Sequence, residues 1–235
     1  DTTRTITWTV NGDIGNIKIL YSVNSGTDAY PDPAQLLATV NADTVTSWIW
    51  NPIPNLPYET MKIKLLQTTA VGGTPILSDT STNDFAIRPT VVLVKPVDTD
   101  SFLVGRTYTV EWTPNGTVDT VNLYYNPGGL GYSALPGVTN PVTGTVCNVT
   151  NRCYSWTLGT ATVKNANVKF KVEKSGNANV FDEGPDGGDL FFSIVAGVAL
   201  DAPTTATILR ALQNTNVTWS HPGGLGALRI KYTTN

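Results

Sequence analysis

A short pattern built around a tryptophan occurs three times in the chain and constrains its fold more than any other feature. Trp8, Trp112 and Trp219 each have a glycine four residues later and a tyrosine thirteen residues later. The tryptophans are 104 and 107 residues apart. Self-similarity at a fixed spacing is the signature of a repeated structural unit. The pattern therefore predicts a tandem array of one small domain.

Each copy of the pattern alternates apolar and polar residues, which is typical of half-buried β-strands. The apolar positions of the second strand of each copy are Ile17, Ile19 and Tyr21; Val121, Leu123 and Tyr125; and Leu228, Ile230 and Tyr232. Strand patterns recur about every ten residues between Gly, Pro, Asn and Asp, and no convincing helix is found. We predict an all-β fold of tandem Ig-like/fibronectin-III-like β-sandwiches. The predicted core positions are Trp8, Trp112, Trp219, Tyr21, Tyr125 and Tyr232.

The repeat also predicts where the domains begin and end. Residues 1–88 read as an Ig-like sandwich that lacks its first strand, residues 89–196 as a complete one, and residues 197–235 as the N-terminal part of a third. We therefore expect the sequence to be a segment of a longer repeat protein. Donation of 197–235 to the first unit of another copy fits poorly, because it would supply the first strand but duplicate the next two. The donated tail would also still lack the rest of its own sandwich.

Composition narrows the classes of partner. Fifteen Lys and Arg residues face eighteen Asp and Glu residues, and charged residues are only 14% of the chain. This balance predicts no nucleic-acid partner, because such partners require a basic surface. No run of eighteen apolar residues occurs, so no membrane-spanning segment is expected.

The two cysteines lie close together in the second repeat. Cys147 and Cys153 flank five residues, a spacing that suits a disulfide across a tight loop and hence an oxidising compartment. Two reduced thiols are the alternative. The first repeat has no cysteine, so a disulfide would not be a general feature of the unit.

The sequence offers little catalytic chemistry. His221 is the single histidine and stands in a Ser-His-Pro-Gly turn, where a turn role is expected. Glu111 and Glu173 alternate with apolar strand residues and are expected to face solvent. No nucleophile, phosphate-binding or histidine-based metal motif occurs, so we predict that the chain is not an enzyme.

One acidic loop suggests a cation. Asp182, Glu183, Asp186 and Asp189 stand among glycines, and oxygen-rich flexible loops suit calcium. The simpler interpretation is a solvated turn, and no other cofactor is indicated. Asn115, Asn148 and Asn216 begin N-glycosylation sequons.

Beyond the tryptophan pattern, the second repeat runs from a proline-bearing strand through Gly105–Thr113 to Val-x-Leu-Tyr-Tyr, Tyr-Ser-Trp and Val-Lys-Phe-Lys-Val. This succession resembles the Ig-like repeat of the Ser/Thr-rich GPI-anchored cell-wall protein family, which also occurs in tandem in bacterial and archaeal surface proteins. The resemblance implies an extracellular, non-catalytic module at the cell surface. No GPI signal is present, so anchoring is not carried over.

These observations favour a structural or spacer segment of a larger repeat-containing surface protein, as in an S-layer, matrix, filament or adhesin stalk. Its expected partners are neighbouring copies or adjacent repeats. The alternative is a carbohydrate- or protein-binding module, with cell-surface polysaccharide as the ligand. Tyr30, Tyr58 and Tyr132 lie in turn-like segments where exposed rings could stack on sugars.

Overall fold

The computed structural model describes residues 3–69, 76–160, 162–185, 191–205, 207–221 and 226–233. Every regular element in these ranges is a β-strand, which confirms the predicted all-β class. None of them contains a helix that is long and apolar enough to cross a membrane. The chain divides into two compact units, Asp1–Pro89 and Thr90–Asn235.

The first unit contains two sheets of unequal size. Its strands are β1 (Arg4–Thr7), β2 (Asn16–Ser22), β3 (Leu36–Asn41), β4 (Ser47–Trp50), β5 (Tyr58–Gln67), β6 (Ser78–Thr80) and β7 (Phe85–Ile87). Strands β1 and β4 form a two-stranded antiparallel sheet. The other sheet has the order β3-β2-β5-β6, and β7 also pairs with β5.

The second unit has larger sheets. Its strands are β8 (Thr90–Lys95), β9 (Ser101–Leu103), β10 (Thr107–Asn115), β11 (Val121–Pro127), β12 (Ser133–Ala134), β13 (Thr145–Val146), β14 (Arg152–Thr157), β15 (Asn165–Lys174), β16 (Phe181–Gly184), β17 (Phe192–Val195), β18 (Ala199–Ala202) and β19 (Thr218–Ser220). One sheet has the order β13-β14-β10-β8. The other has the order β12-β11-β15-β17-β9, with β16 also paired to β15.

A continuous aromatic and aliphatic core fills the second unit. Alternation along β10, β14 and β15 sends every second side chain into this core, as a half-buried strand requires. Trp112 is 2% exposed and Tyr125 5%. Phe102 stacks on Tyr108 with ring centroids 4.0 Å apart and lies 5.2 Å from Phe192. Such aromatic pairs stabilise a core beyond the area they bury.

Residues 197–235, predicted as the N-terminal part of a third sandwich, contain a strand pair that resembles the pairing of β8 with β10 in the second unit. Among the described residues of this segment, β18 pairs with β19, whereas residues 226–233 form no strand, which differs from the strand predicted through Leu228, Ile230 and Tyr232. Trp219 is 37% exposed and Tyr232 92%, so their predicted core positions are wrong for this chain. Burial of these rings requires a facing sheet, and no second sheet covers the β18–β19 pair among the described residues.

Candidate functional site

An open groove lies in the first unit. Its volume is about 590 Å³. Apolar side chains dominate its wall, from β1 and the residues after it, from β2, from β5 and from β6. The lining residues are Ile6, Thr7, Trp8, Thr9, Val10, Asn11, Ile14, Ile17, Ile63, Leu65, Gln67, Leu77, Ser78, Asp79, Thr80 and Ser81.

The second unit has a strand at the place that corresponds to this groove. There β10 pairs with β14 on one edge and with β8 on the other. Strand β1, which carries the same pattern, pairs only with β4 among the described residues. Strand β10 continues to Asn115, whereas β1 ends at Thr7, the position that corresponds to Glu111. Pairing of β10 with β8 covers Glu111–Asn115, so β1 ends where such a partner would begin.

The register of the strands shows that the two units also have an aspartate at matching positions. Tyr21 lies opposite Ile63, and Tyr125 lies opposite Phe170. Two residues further along the same strands, Leu65 lies opposite Asp79, and Val172 lies opposite Asp182. The Asp182 carboxylate accepts a hydrogen bond of 2.7 Å from the backbone N–H of Leu93 in β8. Asp79, its counterpart, lines the open groove.

Two further polar groups border the groove. Gln67 is buried and satisfied, since its amide donates to the Ile14 carbonyl at 2.8 Å and accepts from the Leu77 N–H at 3.1 Å. Trp8 is half-buried, and its Nε1–H is buried without a hydrogen-bond partner among the described residues. A buried donor without an acceptor is costly, and this one belongs to a residue that lines the groove.

Cys147 and Cys153 form a disulfide with their Cα atoms 5.7 Å apart. It closes the β13–β14 hairpin, whose tip residue Val149 is fully exposed. Asn151 ties the hairpin to β10, because its carboxamide oxygen accepts from the Thr113 hydroxyl at 2.7 Å. Glu111 lies near the two sulfurs, but disulfide sulfurs are not thiolates, so this group is no metal site.

The predicted calcium loop is only partly within the described residues. Asp182 and Glu183 lie in β16, whereas Asp186 and Asp189 lie outside the described residues. Successive strand residues point to opposite faces of a sheet, so Asp182 and Glu183 do not converge on one ion. Asp182 is engaged with β8 as described, and Glu183 lies opposite Lys171 in the register.

A lysine packs against a loop tyrosine at the same register position in both units. The Lys64 ammonium lies 5.4 Å from the ring centre of Tyr30. The Lys171 ammonium lies 5.3 Å from the ring of Tyr132 and 4.8 Å from that of Tyr124. Ammonium groups over aromatic faces are attracted by the ring quadrupole. One face of each loop tyrosine is therefore already occupied.

These contacts weaken the sugar-stacking interpretation of the tyrosines. Tyr30 is buried and Tyr132 half-buried, which differs from the exposed rings expected, whereas Tyr58 is exposed. Burial and the negative charge of Glu183 raise the pKa of Tyr132 well above its ordinary value. Burial raises the pKa of Tyr30 as well. Both phenols are therefore neutral over the physiological range.

The strand glutamates are more covered than expected. The side chains of Glu111 and Glu173 are each 13% exposed. The Glu173 carboxylate pairs with Lys171 at 2.8 Å, and the Glu111 carboxylate lies 3.9 Å from the Lys95 ammonium. Both face away from the core, but neighbouring side chains cover them, which the alternation pattern does not reveal.

A network of hydrogen bonds holds one loop of the first unit. The Asp28 carboxylate accepts from Gln35 Nε2 at 2.9 Å and from the Val23 N–H at 3.2 Å. Burial acts to raise the pKa of Asp28, but hydrogen bonds from Ser22, Gln35 and two backbone amides outweigh it and lower the pKa. Tyr30, whose ring contacts the Lys64 ammonium, belongs to this loop.

The remaining candidate residues lie at the surface. Asn115, Asn148 and Asn216 are exposed, as is His221. The Asn148 carboxamide oxygen accepts from the Thr150 and Asn151 N–H groups at 2.9 and 2.8 Å, which makes it a turn residue at the hairpin tip.

No family model and no curated protein matches the chain. Solved structures similar to it include fibronectin(III)-like modules of CbhA from Clostridium thermocellum, at 12% identity over 82% of this chain and 84% of that one, with a TM-score of 0.26. A tetra-tandem repeat from the extending region of a large adhesion protein matches at 15% identity over 86% of this chain, with a TM-score of 0.33. This chain covers 53% of that fragment.

A complex of Dpr2 Ig1-Ig2 with DIP-Theta Ig1-Ig3 matches at 11% identity over 82% of this chain and 90% of that one, with a TM-score of 0.25. Identities and TM-scores this low carry no argument about this chain. The strands and sheets of the chain itself establish its class, and the chain is an all-β protein whose two units are built from β-sheets, as the tandem-sandwich prediction requires.

Proposed function

We propose that the chain is a non-catalytic structural segment of an extracellular, repeat-containing surface protein, in which the sandwiches act as spacers. The observation that carries this proposal is the reuse of one unit, with tryptophan, tyrosine, lysine and aspartate at matching register positions in both units. A repeated domain that does not carry a repeated catalytic site is typical of proteins whose function depends on length.

The proposed extracellular location is supported by the disulfide. Disulfides persist in oxidising compartments and are rare in the cytosol. The non-catalytic role is supported by the carboxylates, because Asp182, Glu111 and Glu173 already have backbone or lysine partners. Catalysis would require titratable groups that converge on a shared cavity.

Surface labelling tests the location. Antibodies raised against the 235-residue chain should label intact source cells as strongly as permeabilised ones. Labelling that requires permeabilisation would contradict the proposal. On a non-reducing gel, the same antibodies should detect a band at the mobility of the native protein.

A domain replacement tests the spacer role. In-frame deletion of residues 90–196 should bring a distal epitope closer to the cell surface by roughly 30 Å, the length of a nine- or ten-residue strand. Replacement of the same residues by an unrelated sandwich of equal length is the matched control and should restore the distance. A binding module would instead lose its function in both variants.

A further inference from the structure

We propose that Asn148, at the tip of the β13–β14 hairpin, is an N-glycosylation site that carries a sugar chain on its amide nitrogen. Asn148 begins one of the three sequons of the chain. The inference rests on the extracellular location proposed above, because N-linked sugars belong to surface loops of secreted proteins. It goes beyond the spacer role, which requires no sugar.

The hairpin tip holds the Asn148 carboxamide in one orientation. The disulfide between Cys147 and Cys153 closes the loop. The Asn148 carboxamide oxygen accepts hydrogen bonds from the N–H groups of Thr150 and Asn151 at 2.9 and 2.8 Å. The Thr150 hydroxyl oxygen lies 3.2 Å from the same atom. The carboxamide oxygen of Asn148 is therefore fixed against the turn, and its nitrogen lies on the other side of the planar group.

The Asn148 nitrogen has a hydrogen that a sugar can replace. A carboxamide nitrogen carries two N–H groups. One of them donates to a Glu111 carboxylate oxygen at 3.3 Å, and the other has no acceptor among the described residues. The Asn151 amide, which donates to the same Glu111 oxygen at 2.5 Å, keeps that acceptor in place. Asn148 can therefore retain its bond to Glu111 after one hydrogen has been replaced.

The surface around the tip has room for a bulky group. Val149, the middle residue of the sequon, is 99% exposed, and Val146 is 67% exposed. Asn148 and Thr150 are exposed as well. A sugar at this position displaces no packed side chain. It would cover two apolar side chains with a solubilising group.

The sequon at Asn115 is placed differently. Asn115 ends β10 opposite Thr90 of β8, and its amide donates to the Thr90 hydroxyl at 3.3 Å. A sugar on that nitrogen would stand against a paired strand. Asn148, in contrast, lies beyond the paired residues of β13 and β14. The geometry therefore favours Asn148 over Asn115, and the third sequon, at Asn216, is distinguished by the experiment.

The transfer needs a sugar donor and a separate glycosyltransferase. The donor is of the class in which a sugar is bound to a lipid phosphate. The Asn148 nitrogen forms a bond to the anomeric carbon of the sugar, and the bond from that carbon to the phosphate oxygen breaks. The oxygen keeps the electron pair and the amide loses one proton. The products are a glycosylated carboxamide and a free lipid phosphate.

Peptide mapping of the protein purified from its source tests the site. Tandem mass spectrometry measures the fraction of the Asn148 peptide that carries a sugar mass, and most of this peptide should be modified. An amidase that releases the sugar should leave aspartate at position 148.

Three variants produced in the same source separate the sequon from the turn. Asn148→Gln and Thr150→Ala should each abolish the sugar, the second with the asparagine still in place. Thr150→Ser keeps the hydroxyl, so this matched control should keep the sugar. Recovery of the Cys147–Cys153 disulfide in each variant shows that the hairpin has folded.

Each outcome decides the inference. An unmodified Asn148 peptide in the native protein would overturn it, as would a sugar found only on Asn115 or Asn216. A Thr150→Ala variant that retains its sugar would show that the sequon is not recognised and would overturn it too. If the protein labels intact cells while Asn148 is unmodified, the proposed location stands and the glycosylation site alone fails.

Discussion

The two units contain the same repeat, but the tryptophan strand has two paired neighbours in the second unit and one among the described residues of the first. In the second, β8 covers the edge of β10, and Trp112 is buried at 2% exposure. In the first, no described strand covers the edge of β1, Trp8 is half-buried, and an open groove of about 590 Å³ remains. The difference teaches that the tryptophan pattern specifies where an aromatic ring points, while a neighbouring strand determines whether the ring is covered.

The largest expected effect is on the free energy of unfolding when either of two tryptophans, Trp112 or Trp8, is replaced by alanine. Trp112→Ala should lower the free energy of unfolding of the second unit by about 3–5 kcal/mol, because it empties a fully packed site. Trp8→Ala should cost the first unit roughly half as much, because its ring already borders a cavity. Hydrogen exchange measured by mass spectrometry on peptides from each unit would separate the effects. Equal losses would refute the difference in packing around the two tryptophans.

The disulfide should have an intermediate effect, confined to the second unit. The Cys147→Ser, Cys153→Ser double variant should lower that unit's free energy of unfolding by about 2 kcal/mol, because a loop this short restricts the unfolded chain only slightly. Chemical denaturation followed by hydrogen exchange would measure it. Reduction of the wild type is the control and should produce the same loss, with peptides of the first unit unchanged.

The smallest expected effect concerns the pH dependence of the first unit. The pKa of Asp28 is lowered in the folded state, so its carboxylate stabilises the unit above the unfolded pKa near 3.9. This contribution is lost as the pH falls through the lower folded value. Asp28→Asn should therefore flatten the acid side of the melting-temperature profile.

A matched control for Asp28 lies in the second unit. Asp119 is exposed, and Asp119→Asn should leave the acid side of the profile unchanged. Melting temperatures measured between about pH 2 and 6 would compare the two variants with the wild type. Equal flattening by both would assign the effect to net charge rather than to the Asp28 hydrogen bonds.

Much of the fold could be predicted from alternation and turn residues. The strands β2, β5, β11 and β15 contain the predicted apolar alternation, because period two dictates which side chains share a sheet face. The same reasoning was wrong for Tyr232, whose segment alternates equally well. Local pattern specifies a face, but a strand also needs a partner that supplies its hydrogen bonds.

The candidate site was harder to predict. The match between the segments around Trp8 and Trp112 is visible in the sequence, but the equivalence of Asp79 and Asp182 depends on the register across two strands. The lysine–tyrosine contacts also join residues that are distant in the chain, such as Lys64 and Tyr30. Contacts of this kind depend on how connections fold over a sheet face, which spacing alone does not specify.

The sequence by itself determined the repeat, the all-β class and the inward direction of the aromatic side chains, because these follow from period and from turn chemistry. Only the tertiary structure decided that Trp112 is buried, that Trp8 borders a groove and that Trp219 remains exposed. The physical reason is that burial depends on two surfaces. A strand specifies its own apolar face, but the sheet opposite and the strand alongside must both be present to remove that face from water.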